Sequence, residues 1–520
     1  FQVLQGNVYR VFELALDLFG VVLIVGLALA GYRRYVQRPE RLEGPKRPVS
    51  KWDSFPLLRV LLLIAVTGFL AEGLRIAEGF RMADELLAAR QAGPDQEKQL
   101  LDAWAAEGWR HLGPERQQAE MARIAREDRV FPAAAWAPVG YGLGLLFEPL
   151  SIETIRGLHR ATWWVHGLLA FGFIVAIPFT KAFHLVSSPL NMLFRSPAPA
   201  GRLPVVAESG VVTVRDFTWR QLMQIDSCTW CGKCQEVCPG YNCGFPLSPR
   251  DFVQAVDGEL LRTAQGTVPF FAAGGNGDSP PSRTLHDVIP ADELWACCTC
   301  RACEDICPVQ VEHPRAIIDM RRRLVDQGQV DEGLQDALMN FQRYGNSFGQ
   351  SPRKRAEWIK KAGAALKDAR KEEVEFLWFL GDYAAYDQRA LEATQATARV
   401  FARLGLDVGV LMEKEQNAGN DVRRVGEEGL FDMLRQKNLQ ALATARFRQV
   451  VTTDPHTYNT LKNEYAGFEG TNGKQDEDEQ PPDASLSPLD GKPVLHYAEL
   501  LDRLIAEGRL KPARPLGLTV

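Results

Sequence analysis

The chain has 520 residues, 60 of them basic and 65 acidic, for a formal net charge of −5, and 46% are hydrophobic. That length admits several domains, and the mild negative charge gives no basic footprint for nucleic acid. The ordinary overall hydrophobicity hides a segregation: long apolar runs lie at the front, and all 10 cysteines fall between Cys228 and Cys307. With no cysteine left for a disulfide framework elsewhere, the central region is expected to face a reducing compartment.

In chain order, three apolar stretches come first. One ends with DLFGVVLIVGLALAGY, Asp17 to Tyr32, and extends back through VFELAL, where Glu13 and Asp17 mark a protein-facing side. The second is FPLLRVLLLIAVTGFLAEGL, Phe55 to Leu74, and the third TWWVHGLLAFGFIVAIPFTKAF, Thr162 to Phe183. Each approaches the roughly 20 residues that cross about 30 Å of hydrocarbon. The connection between the first two holds Arg33, Arg34, Arg38, Arg41, Lys46, Arg47 and Lys51, which places it in the cytoplasm by the positive-inside rule. Arg81 to Ile155 then forms an outer loop, and the third span returns the chain to the cytoplasm.

That third span carries His159, His166 and His184. On one continuous helix their spacings of 7 and 18 residues turn about 700° and 1800°, so all three share a face, with His166 and His184 about 27 Å apart along the axis. This is the separation of two haems stacked across a bilayer, and intramembrane histidine is usually functional. Hydrogen-bonded interface histidines are the plain alternative. The first two spans contain no histidine to serve as a second axial ligand.

Next come two cysteine runs, CTWCGKCQEVCPG from Cys228 and CCTCRACEDICPV from Cys297. In C-x2-C-x2-C-x3-C-P runs the first three thiolates reach three corners of one iron–sulfur cube, and the fourth ligates the other cluster of a pair. Cys228, Cys231, Cys234 and Cys307 are therefore expected to hold one [4Fe–4S] cluster, and Cys297, Cys300, Cys303 and Cys238 the second. Structural zinc prefers isolated C-x2-C pairs, and disulfides are a third use of thiols; two complete copies closed by Pro239 and Pro308 weigh against both. Cys243 and Cys298 are left over.

Between the runs, RDFVQAVDGELLRTAQG has helical apolar spacing, and the Gly/Pro-rich stretch Gln265 to Ser282 reads as a surface loop. From Glu373 onward apolar runs (VEFLWFL, LDVGVLM, RQVVTTD) alternate with amphipathic helices, the pattern of an α/β domain. The polar, acidic stretch Gly470 to Pro488 lacks the apolar content to fold by itself. Neither G-x-G-x-x-G nor G-x4-G-K-[ST] occurs, so nucleotide binding has no support.

Together YRVFELALDLFG, GFLAEGLRIA, WWVHGLLAFGFIVAIPFTKAFHLVSSPLN, the cysteine runs through CEDICPVQVEHPRAIIDMRRRLV, DVRRVGEEGLFDMLRQKN and PHTYNTLKNEY resemble the heterodisulfide-reductase-related membrane Fe–S oxidoreductases with a nitrate-reductase-gamma-like haem b domain, in particular the electron-transfer-flavoprotein:quinone oxidoreductase type. The resemblance spans nearly the whole chain. It implies a multidomain protein: a transmembrane haem b/quinone domain over 1–200, a mostly helical two-cluster ferredoxin-like domain over 201–330, a helical connector over 331–372, and an α/β CCG-like domain over 373–520. It also implies two further helices ahead of Phe1, one bearing histidine, and a second CCG-like domain after Leu516 to Val520. In the family the CCG cysteines hold a non-cubane cluster; here Asp382, Asn417, Ala418, Asp454 and Thr457 stand in those positions, and Ala and Thr do not replace thiolates.

The expected function is electron transfer from a soluble partner, an electron-transfer flavoprotein by resemblance alone, through two cubanes and haem b to a quinone in the cytoplasmic membrane. The alternatives are a heterodisulfide-type thiol–disulfide reductase and a non-catalytic anchor or assembly subunit. His166 and His184 are the expected haem ligands, with His159 in reserve and Arg156 and Arg160 as propionate partners. For quinone, Lys181 beside His184 is the favoured donor and the Glu72–Arg75 pair the alternative, which would otherwise clamp the second span to the third.

Overall fold

The computed structural model describes residues 6–42, 55–107, 136–199, 201–203, 210–263, 283–361, 366–465, 488–489 and 491–511. The stretches 265–282 and 470–487, the basic residues Lys46, Arg47 and Lys51, and Leu516 to Val520 lie outside them. The chain divides into two compact units, one comprising Phe1–Ser188, Asp226–Gly232 and Leu260–Ser279, the other the remainder.

The first unit is helical. Helix α1 is Gly6–Tyr32, α2 Phe55–Ala92, α3 Pro94–Glu107, α4 Pro138–Phe147 and α5 Ile152–Ala176; α6, His184–Leu193, leads out of the unit. Two helices, Arg10–Gln37 and Leu58–Ala92, are long and apolar enough to cross a membrane, and a third span results if the bent pair Ile152–Ala176 and Lys181–Leu193 is counted as one. Burial is inverted relative to a water-soluble helix: Phe19, Val22 and Leu29 of α1 are exposed, whereas Glu13 and Asp17 are buried. The buried carboxylates are satisfied inside the protein, as a lipid environment demands. Asp17 accepts the peptide N–H groups of Val139 (2.9 Å) and Gly140 (3.3 Å), completing the N-terminus of α4, and Glu13 accepts from Arg75 Nη2 at 2.9 Å.

Helix α4 has no counterpart among the expected spans, because its ten apolar residues are too few to signal one. It docks on α2 through small residues: a Cβ added at Gly140 would lie 2.8 Å from Glu72 Cγ, and one at Gly144 2.7 Å from Ile76, the close approach that Gly-x3-Gly permits. Two further differences concern length and continuity. The second span does not end near Leu74 but continues to Ala92, and α3 follows, so the first part of the expected outer loop is helical. The third span is not one helix. Pro178 cannot continue the backbone ladder; the chain passes through two short 3-10 turns and α6 leaves at 81°. His184 therefore does not lie on the helix of His159 and His166, and the expected shared face and spacing of about 27 Å along one axis do not hold past Pro178.

In the second unit the helices α7 (Trp219–Ser227, its last two residues counted with the first unit), α8 (Pro249–Thr263, its last four residues likewise), α9 (His313–Asp326), α10 (Glu332–Tyr344) and α11 (Pro352–Lys361) precede a five-stranded, wholly parallel sheet. Its strands are β1 (Lys367–Asp368), β2 (Val374–Phe379), β3 (Val408–Val410), β4 (Phe447–Thr452) and β5 (Val494–His496), in the order β1-β3-β2-β4-β5. Edge strand β1 pairs with β3, so the sheet starts at Lys367, ahead of the expected boundary at Glu373. Alternation along β2 fills both faces: Leu377 and Phe379 join Val450, Phe431 and Leu434 on one side, Phe376 and Trp378 join Phe401 and Leu500 on the other. The crossovers include α12 (Gln388–Arg403), α13 (Asn420–Val425), α14 (Glu428–Ala443) and α15 (Pro455–Asn463), and α16 (Tyr497–Ala506) follows β5. β2 has β3 on one side and β4 on the other, so the connections reverse direction there; the crevice beyond the carboxyl ends of β2 and β4 is where such sheets bind ligands.

Candidate cluster loops, histidines and sheet crevice

The two cysteine runs fold into the same backbone shape. Counting from the first cysteine of each, the third residue is left-handed (Trp230 at φ 54°, Thr299 at φ 52°), and so is the fifth (Gly232 at φ 73°, Arg301 at φ 66°). Non-glycine residues there cost about 1–3 kcal/mol each unless the surroundings impose the conformation, and the matched pairs show that both loops are imposed alike. Such curled backbone turns successive N–H groups inward, toward negative charge. Thr299 N–H donates to Cys297 Sγ and Val311 N–H to Cys307 Sγ, each at 3.4 Å.

Cys238 does not stay with its own run. In the second unit a single recess is lined by Cys238, Cys297, Cys300 and Cys303, together with Cys298 and His313. This is the set expected from the crossover of the fourth cysteine. Among the described residues no three His, Cys, Asp or Glu side chains form a group that fits one metal ion; a cubane differs in taking its thiolates at four separated corners, and a recess ringed by thiols from both runs suits that. Burial pushes the Cys297 thiol up to about 11, against the pull of Arg321 and the Thr299 N–H, and pushes Cys303 up further. Arg321 is held beside Cys297 by the carbonyls of Leu294 (2.6 Å) and Cys297 (2.5 Å) and lies 5.1 Å from the Trp295 ring. Cys228 and Cys231 belong to the first unit, Cys234 and Cys307 to the second. Cys243 and Cys298 are exposed.

Sequence reasoning missed two residues here. His313 opens α9, is 2% exposed, and neither ring nitrogen has a hydrogen-bond partner; burial lowers it to about 4, so it is neutral at pH 7. A fully orphaned buried imidazole is uncommon. Its signal was only a histidine six residues past the last cysteine. Arg41, in the basic connection after α1, reaches Cys231 O (3.4 Å), and its backbone occupies the space that a Cβ on Gly232 would need. The basic connection and the first cysteine loop are thus neighbours within one unit, although charge pointed to the one and cysteine usage to the other.

Both candidate haem histidines present the same nitrogen. His166 Nδ1 lies 3.1 Å from Ile64 O and from Thr67 Oγ1, with its ring against Gly68, and His184 Nδ1 lies 2.5 Å from Lys181 O. A carbonyl partner on Nδ1 fixes the tautomer that leaves Nε2 for a metal. His159 faces Glu78 (3.8 Å), which also accepts from Arg156 Nε at 2.8 Å; Arg160 is exposed. Lys181 donates to Asp226 O (3.2 Å) and lies 5.0 Å from the Trp230 ring, so it contacts the first cysteine loop. The Glu72–Arg75 pair (3.8 Å) is extended by Glu13 at 2.9 Å; the clamp joins α2 to α1, not to the third span.

In the sheet crevice the structure gathers the five residues that stand at CCG positions. Asp382 Oδ2 accepts from Asn417 Nδ2 (2.9 Å) and from Ser347 N (2.9 Å); Asn417 Oδ1 accepts from Gly419 N (2.7 Å); Thr457 Oγ1 donates to Asp454 Oδ2 (2.5 Å). The carbonyl of buried Ala418 accepts from Tyr465 Oη at 3.0 Å. Behind them Arg355 is fully buried between Glu415, which its Nη1 contacts directly, and Asp382 at 3.6 Å. These polar side chains are thus hydrogen-bonded to one another and to nearby peptide groups.

No family model matches the chain, and no solved structure matches it. Named relatives do. It is 30% identical to an EtfAB:quinone oxidoreductase of Syntrophomonas wolfei, over 99% of this chain and 66% of that protein. It is 31% identical to a probable iron-sulfur-binding oxidoreductase, FadF, of Bacillus subtilis, over 74% of this chain and 58% of the relative. Over 59% of its length it is 26% identical to a component of the dihydromethanophenazine:CoB--CoM heterodisulfide reductase of Methanosarcina mazei, covering 70% of that relative. The chain thus spans less than two thirds of the length of the first two.

Proposed function

Because the chain belongs to the heterodisulfide-reductase-related membrane iron–sulfur oxidoreductases, we propose that it carries electrons from a soluble donor, an electron-transfer flavoprotein, through two [4Fe–4S] clusters and haem b to a membrane quinone. The observation that carries the reading is the recess where Cys238 joins Cys297, Cys300 and Cys303. The shared left-handed geometry of the two loops extends it to the first run, whose ligands would be Cys228, Cys231, Cys234 and Cys307.

When bound, the clusters supply one-electron relay and haem passes the electrons on toward quinone. The chain's own groups set the conditions. The thiols of Cys297 and Cys303, raised by burial, are protonated at pH 7, and as ligands they would have to give up those protons. Arg321 and the Thr299 N–H offset the thiolate charge at Cys297, and His313 offers the recess a neutral N–H. His166 and His184 would take haem through Nε2, with partner ligands from outside this chain's first two helices. The neighbourhood of Arg41 and Cys231 supports placing the cluster loops on the side of the basic connection, hence in the cytoplasm. Asp382, Asn417, Ala418, Asp454 and Thr457, standing where the resemblance implies thiolates, support electron transfer over disulfide chemistry.

The test is anaerobic reconstitution of the full chain, with iron counting and electron paramagnetic resonance. Two cubanes give about eight irons. Cys238→Ala should alter the signal that Cys297→Ala and Cys303→Ala alter, and spare the one that Cys228→Ala alters. If Cys238→Ala instead groups with Cys228→Ala, the crossover assignment is wrong.

A further inference from the structure

A cavity of about 320 Å³ in the second unit is walled by Arg195, Arg202, Arg301, Arg315 and Arg424, against the carboxylates Glu304 and Glu312. Some of that charge is already engaged: Arg301 pairs with Glu304, and Arg424 donates to Glu464 (2.8 Å) and to Gly201 O (3.1 Å). Arg315 is matched less well. It touches Glu312 only at 3.4 Å, and its Nε is buried with no partner. Arg195 stands exposed at the rim. A buried guanidinium donor left without a partner is unfavourable, and a fork of such donors suits the oxygens of a phosphate.

Beside the rim the surface changes character. Leu190, Leu193 and Phe194, which share one face at the end of α6, are exposed, Leu193 by 74%. Phe194 stacks edge-on against Trp219, itself 59% exposed, with ring centroids 5.7 Å apart. Arg195 follows Phe194 directly, and Arg220, next to Trp219, is paired with the cavity residue Glu312. Aromatic side chains on an apolar apron beside arginine are the composition of a membrane–water interface, and basic pockets at that level bind anionic head groups.

We propose that this cavity binds the phosphate of an anionic phospholipid whose acyl chains lie over Leu193, Phe194 and Trp219. A soluble phosphate ester shares the head-group chemistry but has nothing to cover the apron. The inference rests on the membrane reading of the chain.

The full chain in neutral detergent micelles is titrated calorimetrically with short-chain phosphatidylglycerol, short-chain phosphatidylcholine and inorganic phosphate. Phosphatidylglycerol should bind at least tenfold more tightly than either of the others. Arg195→Gln and Arg315→Gln should each weaken it about fivefold, and Trp219→Ser should weaken both phospholipids without changing phosphate. Equal affinity for phosphatidylglycerol and inorganic phosphate overturns the proposal in favour of a soluble anion. Equal affinity for the two phospholipids, or unchanged binding by both arginine variants, also overturns it. Arg195 is exposed, so its replacement leaves packing intact. Resistance of each variant to carbonate extraction from membranes reports separately on the membrane reading.

Discussion

Replacing Arg355 with methionine removes one charge from a fully buried ionic group of the sheet domain and keeps most of the volume. Arg355, Glu415 and Asp382 are 0%, 2% and 4% exposed. The two carboxylates keep their peptide donors, Leu380 N (3.1 Å) and Gly381 N (2.9 Å) on Glu415, and Ser347 N on Asp382. They lose the cation between them, and the Gly381 carbonyl loses its 3.1 Å guanidinium partner. Breaking a buried pair from one side costs about 3–5 kcal/mol, which is roughly 10²- to 4 × 10³-fold in the opening equilibrium at 1.4 kcal/mol per decade. Hydrogen exchange suits a multidomain chain better than one melting point: amides of β2 and β4 should exchange faster by that factor, while those of α1 and α2 stay as they were. Burial already pushes both carboxyls upward, and Arg355 opposes it; without the arginine they rise further. A folded carboxyl raised above its unfolded value stabilises at low pH and loses that contribution as pH rises through the folded value. The variant should therefore be closer to wild type at pH 5 than at pH 8. Unchanged exchange in β2 and β4 at pH 8 would show that Arg355 is not the counter-ion of this site.

Three other outcomes are expected. His313→Leu should keep the iron of the Cys297 cluster and lower its midpoint potential, since a lost N–H donor removes stabilisation from the more negative state; a loss of about 1.4 kcal/mol is about 59 mV for one electron, His313→Gln should restore part of it, and identical potentials in all three proteins refute the contact. His166→Ala and His184→Ala should each remove one haem from the haem-loaded protein, read as pyridine haemochrome absorbance; full absorbance in both shifts the assignment to His159. Among variants with unchanged haem, quinol oxidation should fall severalfold in Lys181→Ala; normal turnover there with loss in Glu72→Gln moves quinone to the Glu72–Arg75 pair at the outer face.

What could be read from the sequence followed how local each signal was. Strands β2, β3 and β4 announced themselves as apolar runs flanked by amphipathic helices, and the cysteine spacing carries its own crossover rule, which pairs Cys238 with the second run, where it lines one recess with Cys297, Cys300 and Cys303. The misses were tertiary. Pro178 sits in a run apolar enough to hide a break, and Glu13 was seen as protein-facing without any means of telling that Arg75 was its partner. Helix α4 has no amphipathic stripe because it is read through Gly140 and Gly144, whose meaning depends on α2. His313 has no periodicity at all; only burial without a partner singles it out.

The cap that Asp17 places on α4 has a consequence for biogenesis. The carboxylate and the N–H groups it accepts are 122 residues apart, and at ribosomal rates of about 5–20 residues per second that separation takes roughly 6–24 s to synthesise. Throughout that interval α1 has emerged with a charge that hydrocarbon does not tolerate at its middle. Arg75 reaches Glu13 sooner, within the α1–α2 hairpin, but Asp17 waits for α4. A chain cut between α2 and α4 should therefore leave Asp17 without these donors and be degraded faster in cells than the whole chain, which pulse-chase labelling would read.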